Sequence, residues 1–148
     1  FKLMKGEKIP VYGDGLNVRD WIHAVDHARA LDILLEKGVP GEVYNIGVDN
    51  ERNNLEITRL ILEIMGMGEE KIQYIQDRPG HDRRYAIDAS KIRALGWEPQ
   101  YTRERFREGL EETIRWYQDN TDWVEQLWEK KRQEMNAFQD GLPTGNII

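Results

Sequence analysis

The stretch Asp77-Arg78-Pro79-Gly80-His81-Asp82-Arg83-Arg84-Tyr85 crowds three arginines and a histidine around a Pro-Gly turn, in a chain of 148 residues whose formal net charge is -6. Like charges packed so closely repel unless an anion or neighbouring carboxylates neutralise them. Proline fixes its own φ and glycine adopts positive φ without steric cost, so Pro79-Gly80 predicts a loop here, not a helix. Arginine presents a planar fork of N–H donors that matches phosphate oxygens two at a time. The stretch therefore reads as half of a pyrophosphate clamp, and the other half has to come from elsewhere in the chain.

The sequence on either side of this loop alternates short strands with helices. Ile9-Pro10-Val11-Tyr12 reads as a strand ended by Gly13-Asp14-Gly15, and Asn17 to Ile22 continues extended. From Val25 to Lys37 the apolar positions Ala28, Leu31, Leu34 and Leu35 recur at helical spacing, with Gly38 as the stop. Glu42 to Ile46 reads as a strand closed by Gly47. Asn53 or Asn54 caps a helix that runs to Met65, its stripe including Leu60, Ile61, Ile64 and Met65. Ile72 to Ile75 is a strand leading into the basic loop, and Tyr85 to Asp88 is extended after it. A short helix over Ala89–Leu95 ends at Gly96. Phe106, Leu110, Ile114 and Tyr117 mark one face of a long helix, and Trp123, Val124, Leu127 and Trp128 mark another that reaches Phe138 before an irregular tail. Trp21, Trp97 and Trp116 are expected in the core. No long βαβ series appears, so the fold class is a small mixed α/β lobe and not a complete doubly wound sheet. We divide it into a lobe over residues 1–125 and a helical extension with tail over 126–148.

Length allows one domain with a real core. No apolar run is long enough to span a bilayer, and Phe1-Lys2-Leu3-Met4-Lys5 does not resemble a secretory signal. With no cysteines there are no disulfides and no thiolate chemistry, which suits a cytoplasmic protein. The acidic balance argues against nonspecific nucleic-acid binding. The opening on Phe1 in place of Met reads as a piece of a longer protein.

Several chemistries lack their residues. Gly13-x-Gly15 has no third glycine and no helix to open, and Gly66-Met67-Gly68 runs into charged residues, so no cofactor-binding loop is expected. No tyrosine is followed four residues later by lysine, which removes one common acid–base pair. His23 and His27 stand four apart, but no third ligand lies at useful spacing, so no metal site is assigned. No nucleophile triad can be assembled, and no catalytic residue is assigned.

Taken in order, Pro10-Val11-Tyr12-Gly13-Asp14-Gly15, Asn17-Val18-Arg19-Asp20-Trp21, Asp26-His27, Gly41-Glu42-Val43-Tyr44-Asn45-Ile46-Gly47, Asn50-Glu51, Asn54, the Asp77–Tyr85 phrase, Ala86-Ile87-Asp88-Ala89-Ser90-Lys91-Ile92 and Leu95-Gly96-Trp97 closely resemble the C-terminal half of bacterial dTDP-glucose 4,6-dehydratases. These are extended short-chain dehydrogenases acting on nucleotide sugars. The Tyr-Asn-Ile-Gly and Arg-Asp-Trp phrases mark the wider superfamily, and the loop phrase is the more particular. The resemblance implies the substrate-binding lobe of such an enzyme, without most of the Rossmann sheet. In the family the missing half carries NAD, the tyrosine and lysine, and an Asp-Glu pair. It oxidises C4 of the sugar, eliminates water across C5 and C6 and returns hydride to C6. This chain is then expected to hold no cofactor, to bind a dTDP-sugar only weakly on its own, to be inactive without the Rossmann half, and to self-associate through the face that half would cover. A noncatalytic nucleotide-sugar binding or assembly module, or a piece of another nucleotide-sugar dehydratase or epimerase, is the alternative.

The resemblance also implies site residues, each with a plainer role beside it. Arg19 and Arg78 match phosphate-contacting arginines; the plainer role is an ion pair with a nearby carboxylate, Asp20 or Asp26 for the first and Asp77 or Asp82 for the second. His81 belongs to the same loop, or bonds its own turn. Asn54 matches an asparagine that bonds the nucleotide, or caps a helix. Tyr12 matches the segment lying against the base, or simply packs. Tyr85 reaches the nucleotide or closes the loop. Arg83 and Arg84 are candidates to join the clamp, one of them more naturally set against acidic neighbours. The sequence departs from the family at His23 and Val25, where an aromatic and an acidic residue are usual, and at Val48-Asp49, where a glycine-containing pair is usual.

Overall fold

The computed structural model describes the backbone of residues 1–141 and side chains through Gln133. Its elements are β1 (Ile9–Tyr12), β2 (Val18–Asp20), α1 (Ala24–Lys37), β3 (Glu51–Asn53), α2 (Asn54–Ile64), β4 (Ile72–Ile75), α3 (Ser90–Arg93), α4 (Phe106–Asp119) and α5 (Thr121–Gly141), with one 3-10 turn at Glu69–Lys71. The small mixed α/β class read from the sequence is what the chain adopts. The irregular tail expected after Gly141 lies outside the described residues. Helix α5 runs unbroken through residues 125 and 126, where the sequence reading divides lobe from extension.

Two small sheets organise the lobe. β1 and β4 pair in parallel, Ile9 opposite Ile72 and Tyr12 opposite Ile75. A parallel pair needs a long crossover, and here everything from β2 to α2 supplies it. β2 and β3 pair antiparallel, Val18 opposite Asn53 and Asp20 opposite Glu51. Residue 84 adds a parallel bridge to Val18 on the free edge of β2, which seats the basic loop on that sheet.

The lobe has two hydrophobic clusters, one packed on the β1–β4 pair and one under α1. Leu3, Val11, Leu62 and Ile72 are buried together, with Leu55 and Ile61 of α2 packed on them. Ala30, Val48, Ala89, Ile92 and Trp97 form the second cluster beneath α1. Trp97 is fully buried, as is Asp26. The Asp26 carboxylate accepts the amides of Gln100 (2.7 Å) and Tyr101 (2.8 Å), and its carbonyl accepts the Trp97 indole N–H (3.2 Å). Asp26, a candidate partner for Arg19 in the sequence, does not pair with it. It is instead the tie between α1 and the turn before α4, a buried carboxyl group satisfied by two backbone donors with Arg29 3.5 Å away. Behind Tyr101 the chain passes so close to α4 that a Cβ at Gly109 would lie 2.8 Å from the tyrosine ring.

Several expectations are corrected. On α1 the residues Ala28, Leu31 and Leu35 face solvent, while Asp26, Ala30, Ile33 and Leu34 face the core. Both sets obey the helical period; of the four expected positions only Leu34 packs on the core, so periodicity alone favoured mostly the exposed face. On α2 the deepest residues are Ile57, Thr58 and Leu62, with the expected Leu60, Ile61, Ile64 and Met65 half-buried beside them. Glu42–Ile46 forms no strand: its β-type residues have no hydrogen-bonded partner strand among the described residues, and Val43 is 78 % exposed. Tyr85–Asp88, expected only to be extended, carries no regular element and follows the bridge at residue 84. Trp116 is not core but exposed on α4, edge-on to Trp123 and Tyr117. Trp21 is half-buried and donates to the Arg52 carbonyl. β3 was not foreseen.

The departures at 23, 25 and 48–49 have local accounts. His23 is the N-cap of α1, its Nδ1 accepting from the Val25 amide at 3.3 Å, and its ring stacks on Tyr101. Val25 is exposed. Val48 enters the core, and Asp49 takes a φ of 55°. Asp is among the few residues that tolerate that left-handed conformation, so the turn survives without glycine, and its carboxylate meets Arg93 at 2.9 Å.

Candidate functional site

The basic loop leaves the C-terminal end of β4, next to the C-terminal end of β1, where Gly13 N–H donates to the Ile75 carbonyl. Open parallel sheets present their ligand crevice at this end. The loop turns at Gly80 (φ 67°), closed by His81 N–H on the Arg78 carbonyl. It then docks on β2: Val18 N–H donates to the Arg83 carbonyl at 2.8 Å, and Tyr85 N–H to the Val18 carbonyl at 3.2 Å.

This docking brings the candidate residues together. Arg19, on β2, lays its guanidinium over the Tyr85 ring, 4.2 Å from the centroid, and donates to the carbonyls of Val18 and Asp82. Arg78 sits over the Tyr12 ring at 5.7 Å. The same Tyr12 ring meets His81 edge-on at 6.2 Å. Tyr85 donates its hydroxyl to the Asp82 carboxylate. That bond raises the Tyr85 pKa above its ordinary value, while Arg19 and Arg78 both stand near enough to oppose the rise. Arg19 and Arg78, far apart in sequence, each lie over a tyrosine ring beside this loop.

Asn54 is placed differently. The N-cap of α2 is Asn53, whose side chain accepts from Glu56 N–H at 2.7 Å, a contact typically worth about 1 kcal/mol. Asn54 is the first helical residue, its amide donating to the Asn17 carbonyl, while Leu55 N–H donates to the Gly15 carbonyl. The first three amides of α2 are thus all engaged inside the protein, which closes this helix N-terminus to an anion. Asn54 connects to the loop through Asn17, a buried residue whose Nδ2 donates to the Asp82 carbonyl at 3.2 Å and whose Oδ1 has no protein partner. Asn17 joins β2, α2 and the loop; a lone asparagine before a strand carries no pattern that would have marked it.

The charges sort themselves by partner. Arg83 meets Asp14 at 2.9 Å and Arg84 meets Glu51 at 2.6 Å, so both, not one, are set against acidic neighbours. His81 Nδ1 lies 2.6 Å from Asp77. Asp20 and Asp26, the expected partners of Arg19, are occupied by backbone amides instead, Asp20 by those of Val48 and Asn50. Among the described residues, no carboxylate lies within ion-pair distance of Arg19 or Arg78. Both rest on tyrosine rings that remain open to solvent, Tyr12 and Tyr85 being 41 % and 47 % exposed.

The Asp77–His81 contact holds the Asp77 carboxyl below its usual pKa, helped by the Arg78 amide and the neighbouring cations. A carboxylate whose folded pKa is depressed contributes stability above its unfolded pKa and loses it as pH falls through the folded one. Thermal midpoints of the wild type and Asp77→Asn are therefore expected to differ at neutral pH and to converge below about pH 4, the ordinary carboxylate range. A difference constant with pH would contradict this.

Neither glycine pair suits a dinucleotide. Gly15 leads into β2, not a helix, and the space beside Gly13 is filled by the Asp77 carboxylate, 2.9 Å from a Cβ placed there. Gly68 leads only into the 3-10 turn bearing Glu69 and Glu70. A pyrophosphate loop needs glycine backbone opening onto helical amides, and these turns do not fit one. Among the described residues, no group of three potential ligands converges on a metal, and no helix is long and apolar enough to cross a membrane.

Comparison with known proteins gives this lobe its family. Residues 2–113 match the family model described as GDP-mannose 4,6 dehydratase, and the chain belongs to that family. Over 112 residues it is 54 % identical to the low-salt glycan biosynthesis protein Agl12 of Haloferax volcanii, covering 76 % of this chain and 35 % of that one. It is 46 % identical over 132 residues to dTDP-glucose 4,6-dehydratase 1 of Escherichia coli K12, covering 84 % and 36 %. The solved dTDP-glucose 4,6-dehydratase of Bacillus anthracis, in complex with NAD, superposes with a TM-score of 0.75 at 50 % identity, over 82 % of this chain and 38 % of that one. The chain thus spans little more than a third of the length of these relatives.

Proposed function

We propose that this chain is the substrate-binding portion of a dTDP-glucose 4,6-dehydratase, and that it grips the diphosphate of a dTDP-sugar between Arg19 and Arg78. The observation that carries this reading is the sorting of charges: every other cation of the loop has its carboxylate, while these two lie uncompensated on open aromatic faces. Without a carboxylate partner each keeps its positive charge for a phosphate, Arg78 with its whole fork and Arg19 with the N–H groups not given to the Val18 and Asp82 carbonyls. Tyr12 and Tyr85 would flank the nucleotide, His81 would face it from the turn, and Asn54 would line the site from the start of α2. Conversion of dTDP-glucose to the 4-keto-6-deoxy sugar and water is assigned to the whole enzyme, with NAD held by the half absent from this chain.

Calorimetric titration with dTDP, UDP and GDP at two salt concentrations tests it. Binding that weakens with salt and favours dTDP is expected. Equal affinity for the three would move the reading to another nucleotide-sugar dehydratase or epimerase, and no binding to any would sink it.

The two apolar faces of α1 bear on the partner. One is buried in the lobe, while Val25, Leu31 and Leu35 on the other are exposed, Leu35 by 86 %, near exposed Val39 and Val43. Under this proposal the NAD-binding half covers such apolar surface, and the lone chain is expected to self-associate through it. Sedimentation velocity should show mass rising with concentration; a monomer throughout the range would count against that partner face.

A further inference from the structure

We infer that Glu51 and Asp14 are positioning residues: by holding Arg84 and Arg83 they fix the register of the arginine loop and leave Arg19 and Arg78 as the pair offered to an anion. The inference rests on the anion site proposed above and extends it to two carboxylates that touch no ligand.

Residues 83 and 84 follow one another in an extended segment, where successive side chains point to opposite faces. Arg84 reaches across β2 to Glu51 on β3, with Nε and Nη2 at 2.9 and 2.6 Å from the same carboxylate oxygen. Arg83 turns the other way, to both oxygens of Asp14 at 2.9 and 3.1 Å, in the turn after β1. Asp14 is itself fixed by the Leu16 amide at 2.8 Å, and Arg83 with that amide holds its carboxyl below the usual pKa. The loop is thus tied to both sheets at once, on either side of the two backbone bonds to Val18. Those bonds set where Tyr85 lies under Arg19 and where the turn carrying Arg78 and His81 begins.

The inference makes a prediction opposite in sign to plain electrostatics. A negative charge beside an anion site weakens anion binding, so deleting Glu51 or Asp14 should by Coulomb's law alone tighten it, the more so with a freed arginine nearby. If the carboxylates position the loop, deleting them weakens binding instead. The Arg83–Asp14 pair and Arg84 are solvent-exposed and Glu51 is half-buried, which limits each effect to a few-fold.

The test uses the 148-residue chain, with Glu51→Gln, Asp14→Asn and the charge-reversed pair Glu51→Arg with Arg84→Glu. Asparagine at 14 retains an oxygen for the Leu16 amide, so that variant isolates the Arg83 contact. Hydrogen exchange at the Val18 and Tyr85 amides is read without ligand, and affinity is read with inorganic pyrophosphate and dTDP. Glu51→Gln is expected to speed exchange at Tyr85 and to weaken both probes by roughly three- to fivefold. Asp14→Asn acts in the same direction, and the reversed pair restores protection and affinity, which a merely structural role would not do. Unchanged exchange, or tighter binding in the single variants, overturns the inference. Should the wild type bind neither probe, the anion-site proposal fails while the exchange data still decide whether these carboxylates hold the loop.

Discussion

Arg78→Ala is expected to weaken dTDP binding by roughly tenfold to a hundredfold, and Arg19→Ala by at least as much. A charge-assisted hydrogen bond contributes about 1.5–3 kcal/mol, and each 1.4 kcal/mol is about tenfold in affinity. Arg78 is the cleaner probe. Its guanidinium packs on the Tyr12 ring, and the loop's backbone bonds do not pass through it, so its thermal midpoint should stay near that of the wild type. Arg19→Ala also removes the stack on Tyr85 and the bond to the Asp82 carbonyl, and part of its loss will come from a looser loop. Arg78→Lys keeps the charge but not the planar fork, and should fall between wild type and alanine. Calorimetry at two salt concentrations reads all three. If both alanine variants bind dTDP as tightly as the wild type, the clamp is misassigned.

The largest effect on stability is expected at Trp97. It is fully buried at the centre of the cluster beneath α1, among Ala30, Val48, Ala89 and Ile92, and its indole N–H donates to the Asp26 carbonyl. Emptying such a site costs the burial of the ring and leaves a cavity, about 3–5 kcal/mol for Trp→Ala. A domain of this size is stable by only about 5–15 kcal/mol. With two small cores sharing the lobe, Trp97→Ala should be largely unfolded under mild denaturant, whereas Trp97→Phe, which loses mainly the bond to Asp26, should retain most of the wild-type stability. Urea unfolding followed by circular dichroism distinguishes them. Equal midpoints for wild type and Trp97→Ala would mean that this cluster does not hold the fold.

What the sequence disclosed depended on how local the cause was. The Gly-Asp-Gly turn, the Pro-Gly bend and the strand at Ile72–Ile75 are set by a few adjacent residues, and all three stand as read. The face of α1 was not legible, because the helix is apolar on two sides and only tertiary packing decides between Ala30 with Ile33 and Leu31 with Leu35. Glu42–Ile46 has strand residues but no neighbour to pair with, and pairing is not a property of one segment. β3 escaped notice because Glu51-Arg52-Asn53 has no β-type residue; it is a strand because β2 lies beside it. In the site, the arginine types were legible, and their resemblance to a family loop named the chemistry. Which arginines are neutralised was not, since it depends on Asp14 and Glu51 arriving from distant turns. Asp26 and Asn17 were underread for the same reason: their partners are backbone groups far away in the chain.

Gly13 takes a φ of 55° at the place where the Asp77 carboxylate fills the room a side chain would need. Any larger residue there would push Asp77 off His81 and shift the bend that carries Arg78. Two turns widely separated along the polypeptide thus meet at one point, so added bulk at position 13 is felt at position 77 on top of a backbone cost that no change at 77 removes.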